Sequence, residues 1–366
     1  MSSTRPPSAP PLAAVDAVRA IARFLERASR RLAPQPIPLL EIVAGHWRPH
    51  ALGVMARLGI ADLLAEGSRD VGELAQATGV DEDALFRVLR ALAADGFFER
   101  TADRRFALNE LVQPLRTDHP QSIRNTVLQI TSEWSTTTWS HLHEAVRDGS
   151  PTFAKLHGKP LWDWFDDHPE AGKEFHASMA ELSALDIAPV AAGYDFSRHR
   201  RIVDLGGGSG QLLAGLLSAW PHLTGAVYDT PQVAGAAAAR FVAAGLDARA
   251  SVVFGSFFES VPQGFDLYVM RQVVHGHRDD ELAPMLRRVR ASMTPEARLL
   301  VLDTLVPELD ERAPHPGFLD LQMLVGSGGR ERTRREMEAL LDGAGLRLVD
   351  VRRTASPTAI FVAEPR

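Results

Sequence analysis

From residue 200 onward the hydrophobic positions follow an alternating rhythm. Short apolar runs give way repeatedly to segments in which apolar residues return every third or fourth position. The short runs predict strands over 201–205, 223–228, 250–254, 265–270, 298–302, 346–352 and 359–363. The segments of longer period predict helices over 209–218, 231–244, 279–292, 316–325 and 332–344. Strand–helix alternation of this kind predicts an α/β fold, with a Rossmann-like, doubly wound sheet in the C-terminal domain.

Upstream the pattern is helical. Over 12–32, Val15, Val18, Ile21, Ala22 and Leu25 share a face, and arginines stand at 19, 23, 27, 30 and 31. A basic amphipathic helix can lie on a membrane or act as a transit peptide. Asp16 and Glu26, and the lack of a continuous apolar segment, favour a helix that packs on protein, for example between subunits, and no signal peptide is expected. Helical periodicity continues over 39–65 through Ile42, Val43, Trp47, Leu52, Met55 and Leu63, with an interruption at Gly59. Residues 70–113 then read as a short helix, a turn, a longer helix and a hairpin, which is a winged-helix order. Asp81 is the N-cap of the longer helix, Leu85, Val88, Leu89 and Leu92 are its apolar face, and Gly96 is its stop. The hairpin strands are expected at 97–100 and 105–108. Residues 120–193 read as all-helical, rich in Trp and Phe and punctuated by Pro151, Pro160 and Pro169. The expected division is a tail and helix over 1–35, a winged-helix domain over 36–118, a helical region over 119–195 and the α/β domain over 196–366.

Composition narrows the function classes. The 366 residues are 45% hydrophobic and 23% charged, which suits a globular chain of two or three domains. No apolar stretch is long enough for a membrane span, so a cytoplasmic location is expected. The net charge of -6 argues against an obligate nucleic-acid binder. So does the would-be recognition helix, which begins Asp81-Glu82-Asp83 and would repel phosphates. The absence of cysteine excludes disulfides, thiol nucleophiles and thiolate metal centres.

The richest motif is Ile202-Val203-Asp204-Leu205-Gly206-Gly207-Gly208-Ser209-Gly210, which closes a strand and opens a helix. Its glycines let backbone N–H groups approach a ligand at the carboxyl edge of the sheet. Such loops serve NAD, FAD and S-adenosylmethionine alike. A G-x-G-x-x-G fingerprint starting at Gly206 would need glycine where Gln211 stands, and no Gly-Lys-Ser/Thr follows. Asp229, at the end of the second strand, is placed to accept hydrogen bonds from ribose hydroxyls, or to act as a plain N-cap.

Three further segments decide between these cofactors. They are Gly255-Ser256-Phe257-Phe258, His275-Gly276-His277-Arg278-Asp279-Asp280 and Gly328-Gly329-Arg330-Glu331-Arg332-Thr333. In this order the chain resembles the class I S-adenosylmethionine-dependent small-molecule O-methyltransferases of plants and of bacterial secondary metabolism, over residues ~40 to 365. The resemblance implies that Gly206, Gly208, Asp229, Ser256, Phe257 and Arg271 bind S-adenosylmethionine, with S-adenosylhomocysteine as the product. It implies that His275 is the catalytic base, steered by Glu331 and Asp303, and that no metal takes part. It places Met179, Trp164 and Phe175 in the substrate pocket and makes the N-terminal half a homodimerisation domain. An aromatic or polyketide-like natural product is the implied substrate. Three departures stand out: Ser256 for the usual Asp, Gly276-His277 for the usual Asp-Trp, and Asp303 for the usual Glu, one methylene shorter.

The chemistry fits those residue types. A phenol, with a pKa of ~10, is a weak nucleophile while protonated. A base near neutrality is therefore useful, and histidine is the side chain that supplies it. A carboxylate on the other ring nitrogen fixes the tautomer and stabilises the imidazolium. His275 and His277 could alternatively hold a metal, and Arg330 and Arg332 are expected to form surface ion pairs. N- or C-methylation, hydroxylation, decarboxylation and rearrangement are the rival activities within the same cofactor class.

Overall fold

The computed structural model describes residues 9–308 and 314–366. The C-terminal domain is a seven-stranded sheet. We number strands in chain order: β1 (Arg69–Asp70), β2 (Glu99–Ala102) and β3 (Arg105–Ala107) lie in the N-terminal half; β4 (Arg201–Leu205), β5 (Thr224–Asp229), β6 (Ala250–Phe254), β7 (Leu267–Arg271), β8 (Arg298–Thr304), β9 (Leu346–Arg353) and β10 (Thr358–Pro365) follow. Their order is β6-β5-β4-β7-β8-β10-β9, parallel except for β10, which runs antiparallel to both neighbours. The chain therefore reverses its direction of winding beside β4, so the crevice at the carboxyl end of β4 is the topological switch point.

Both faces of the sheet are buried, which is why its strands read as continuous apolar runs rather than as alternation. Val203, Leu205, Tyr268, Met270, Leu299 and Val301 point to one face. Leu282, Met285, Leu286 and Val289 of helix Asp279–Ser292, and Met337 and Leu341 of helix Arg334–Asp342, cover it. Ile202, Leu267, Val269, Leu300 and Leu302 point to the other, where helix Gln211–Ala219 packs Leu212, Leu213, Leu216 and Leu217.

Several expected elements differ. The helix expected over 39–65 breaks at Gly45-His46 as well as near Gly59, and the hairpin strand expected over 97–100 lies at Glu99–Ala102. The helix expected over 231–244 is two short helices, Pro231–Ala234 and Ala237–Ala243. The helix expected from residue 332 starts at Arg334, because Thr333 caps it: the Thr333 side chain accepts from the Glu336 N–H, and Glu336 accepts from the Thr333 N–H. Residues 329–332 thus lie outside the helix.

The described residues form two compact units, one made of Val18–Thr136 with Glu170–Leu182, the other of Thr137–Pro169 and Ser183–Arg366 with the start of the first helix. In the first unit Asp81 caps helix Glu82–Ala94 through the Ala84 N–H at 2.8 Å. Leu85, Leu89 and Leu92 pack on Leu74, Phe98 and Phe106. The hairpin of β2 and β3 gains a third strand, β1, whose two residues are too short to carry a period. Helix Leu12–Leu32 leaves Val18, Ile21, Phe24 (70% exposed), Leu25 and Leu32 (85%) in solvent, and Leu39, Leu40, Ile42, Val43 and Trp47 are exposed as well. Among the described residues no helix is long and apolar enough to cross a membrane.

Candidate active site

The site is built where β4 ends. Gly206 has φ 73°, and a Cβ there would lie 2.7 Å from Val273 Cγ2 and 3.3 Å from Phe257 Cε1. Only glycine takes this conformation so close to its neighbours. The Gly206 N–H donates to the Tyr228 carbonyl at 2.8 Å. The Gly208 N–H donates to Asp229 Oδ2 at 3.0 Å, and the Thr230 N–H to Oδ1 at 2.8 Å. Gly206, Gly208, Asp229 and Phe257 thus share one rim at the carboxyl edge. Ser256 follows β6, and its Oγ accepts from the Phe258 N–H at 3.3 Å. The His277 ring stands edge-on to Phe258 (centroids 5.1 Å) and Phe257 (6.2 Å), with Trp162 at 6.2 Å. Burial holds the His277 imidazolium below the ordinary histidine value.

Arg271 ends β7. Its Nε and Nη2 donate to Asp186 Oδ2 at 2.8 and 2.7 Å, and Thr358 Oγ1 donates to the same oxygen at 2.9 Å. The next residue, Gln272, has φ 51°, the one non-glycine with positive φ among the described residues. A strained residue at this point re-aims the chain into the short turn Val274–Gly276 that presents His275.

His275 Nδ1 lies 2.6 Å from Glu331 Oε1, and both side chains are buried. With the carboxylate as acceptor, Nδ1 carries the hydrogen and Nε2 is left as the basic nitrogen. Burial by itself pulls the His275 imidazolium down. The charges of Glu331 and Asp303 and the ring's hydrogen bond to Glu331 outweigh it, so the net shift is upward. Asp303 lies elsewhere than the resemblance implies: its Oδ2 accepts from the His275 backbone N–H at 3.1 Å, not from the ring. Burial pushes the Asp303 carboxyl up to about 6.

Trp164, 8% exposed, stacks on His168 at 3.8 Å and meets Phe153 edge-on at 5.5 Å. Phe175 and Met179, four residues apart on helix Pro169–Gly193, belong to the unit of Val18–Thr136.

Beneath the glycine loop Asp204 is buried, and neither carboxylate oxygen has a hydrogen-bond partner among the described residues. Burial raises its carboxyl to about 7. The folded protein therefore binds a proton that the unfolded chain releases near pH 4, so this group's contribution weakens as pH rises from about 4 to 7. Asp204→Asn should raise Tm by several degrees at pH 8 and by much less at pH 5. An equal shift at both pH values, by scanning calorimetry, would show that the carboxyl is not the titrating group.

Comparison with known proteins identifies the family. Residues 139–347 match the O-methyltransferase domain and residues 40–115 the O-methyltransferase dimerisation domain. The chain belongs to the O-methyltransferase family. It is 38% identical to O-demethylpuromycin-O-methyltransferase of Streptomyces alboniger, over 89% of this chain and 88% of that protein. It is 36% identical to 8-amino-8-demethylriboflavin N,N-dimethyltransferase of Streptomyces davaonensis, over 85% and 90%. Among solved structures, the mitomycin 7-O-methyltransferase superposes with TM-score 0.84 at 35% identity, covering 94% of this chain and all of that one. An O-methyltransferase of neocarzinostatin biosynthesis, with S-adenosylhomocysteine and 1,4-dihydroxy-2-naphthoic acid bound, superposes with TM-score 0.73 at 32% identity, covering 87% and 96%.

The cofactor of this O-methyltransferase is S-adenosylmethionine. The rim fits it: Gly208 leaves open space where a Cβ would stand, with Val233 the nearest side chain at 3.9 Å, and an anchored carboxylate borders the loop. The chain carries the family's dimerisation domain and is a homodimer former. Apolar residues are exposed along 12–47. One expectation is corrected. Arg330 does pair with Glu336 at the surface, at 3.6 Å, but Arg332 is 2% exposed and is no surface residue. Sequence reasoning also missed Asp186, Gln272 and Trp162. Periodicity gives no signal for a buried arginine outside a helix, nor for a strained Gln at a strand exit.

Proposed function

We propose that this O-methyltransferase methylates a phenolic hydroxyl of a small aromatic natural product, with His275 as general base. The observation that carries the reading is the 2.6 Å contact between His275 Nδ1 and Glu331 Oε1. S-adenosylmethionine, when bound, supplies a methyl group already activated on a sulfonium. The protein's task is then to align the acceptor and remove its proton. His275 Nε2 takes that proton, and the imidazolium formed is stabilised by Glu331. Asp303 holds the His275 backbone. Gly206, Gly208, Asp229, Ser256 and Phe257 line the cofactor, Arg271 braces that edge through Asp186, and Trp164 walls the acceptor. In this reading residues 36–118 build the dimer, 119–195 shape the substrate side and 196–366 hold the cofactor.

A second reading, N-methylation, is favoured by the likeness to the aminoriboflavin dimethyltransferase. A neutral amine has a lone pair and needs no base before attack. The test incubates the protein with S-adenosylmethionine and a panel of 1,4-dihydroxy-2-naphthoic acid, a hydroxyphenazine, a flavonoid and 8-amino-8-demethylriboflavin. A one-methyl mass gain on a phenol, lost in His275→Ala, is expected. Gain on the amine alone, undiminished in His275→Ala, would overturn the proposal.

A further inference from the structure

His275 sits in the short turn Val274–Gly276, capped by His277, and a second stretch of chain, Gly329 to Arg332, lies directly against it. A Cβ on Gly329 would stand 2.0 Å from the His275 carbonyl oxygen and 2.8 Å from Gly276 C and His277 N, so the two backbones touch. The Arg330 N–H donates to the His275 carbonyl at 2.9 Å. Arg332 closes the arrangement. Its Nη1 donates to the carbonyls of Val274 and Arg330, both at 3.1 Å. Its Nη2 donates to Asp279 Oδ1 at 2.5 Å and reaches the His277 carbonyl at 3.5 Å. Between Gly329 and Arg332 stands Glu331, the acid that meets the His275 ring.

We propose that Arg332 is a positioning residue: its guanidinium clamps the His275 turn to the Glu331 segment, so that base and orienting acid move as one body. This rests on the reading of His275 as the base. The geometry asks for arginine in particular. Four acceptors lie around one planar fork, and arginine has five donors in that plane, whereas lysine has three on a single point. Burying a guanidinium opposite Asp279, itself 58% exposed, is a poor way to gain stability, since an apolar side chain of similar volume often does as well. What the arginine provides, and an apolar residue cannot, is a hold on the carbonyls either side of His275.

The test needs a readout that loss of stability would not move. In protein saturated with S-adenosylhomocysteine, the His275 Nδ1 proton should give a far-downfield NMR signal, identified by its absence in His275→Ala and its displacement in Glu331→Gln. Arg332→Lys should shift and broaden that signal. It should also lower kcat on the fastest phenol of the panel by about 10- to 100-fold, as expected for a misplaced base, with the KM for S-adenosylmethionine unchanged. Asp279→Asn, at the exposed end of the clamp, should do the same to a smaller degree. A folded Arg332→Lys protein with only a lower Tm, and with signal and kcat as in the wild type, would overturn the proposal. Should that variant fail to fold, an unaltered signal and kcat in Asp279→Asn would overturn it equally. Wild-type turnover in His275→Ala would instead sink the general-base reading, while the proton signal would still decide whether the clamp holds.

Discussion

Replacing His275 with alanine should lower kcat on a phenol by roughly 10²–10⁴ while leaving S-adenosylhomocysteine affinity unchanged, the usual cost of losing a general base. The ring touches the Glu331 carboxylate through Nδ1 and presents Nε2 as its basic nitrogen, so alanine removes proton transfer without touching the glycine rim. Glu331→Gln should cost less. An amide oxygen still accepts from Nδ1 and holds the ring, but it cannot neutralise the imidazolium. Asp303→Asn should cost least, because an amide oxygen can still accept from the His275 backbone N–H, where the Asp303 carboxylate sits at 3.1 Å. The pH profile adds a sign. The net shift of His275 is upward, so the ring becomes a free base only above the ordinary histidine range. Turnover should therefore rise with pH along a limb centred above ~6.5, the unperturbed value. In Glu331→Gln the strongest raising charge is gone and the limb should move down. Stopped-flow or quenched-flow rates across pH 5 to 9 would measure this. Near-wild-type turnover in His275→Ala would mean that proximity of the reactants alone carries the step.

How much of this was legible in the sequence depends on what kind of force sets each residue. β4 and β6 and helix Asp279–Ser292 lie at their predicted limits. There the apolar run and the burial coincide, and acidic residues mark the helix start. Expectation and structure part where a single local contact decides. The helix expected from residue 332, just after Glu331, begins only at Arg334, because the capping box at Thr333 sets its start. Asp303 was legible as an acid one methylene short, and its bond to the backbone N–H of His275 rather than to the ring depends on where β8 ends in space. Arg332 shows the limit most clearly. Charge predicts exposure, and only the two adjoining backbones with their carbonyls explain why this arginine is inside. Its importance lies in tertiary placement, which no periodicity encodes.

Asp229→Ala should weaken binding of S-adenosylmethionine and S-adenosylhomocysteine by about 10², with kcat at saturating cofactor largely kept. The carboxylate already holds the Gly208 and Thr230 N–H groups at 3.0 and 2.8 Å, which fixes the loop and aims the acid along the rim. A carboxylate can accept several hydrogen bonds, and ribose hydroxyls are among the donors proposed for it. Hydrogen bonds to a charged acceptor contribute about 1.5–3 kcal/mol each, so losing even the weaker estimate for two of them is a change of roughly 100-fold in Kd. Asp229→Asn separates the two duties. Its oxygen can keep the Gly208 N–H, but its NH2 is a donor where the ribose needs an acceptor, so affinity should fall nearly as far while the loop stays ordered. Calorimetric titration with S-adenosylhomocysteine reads both variants. If Asn binds as tightly as the wild type and only Ala is weak, Asp229 serves the loop rather than the ribose. If both bind normally, the cofactor's ribose is held by other groups of the rim, and the acid at the end of β5, which is not the N-cap of the next helix since Thr230 takes that place, only ties the glycine loop to the strand end.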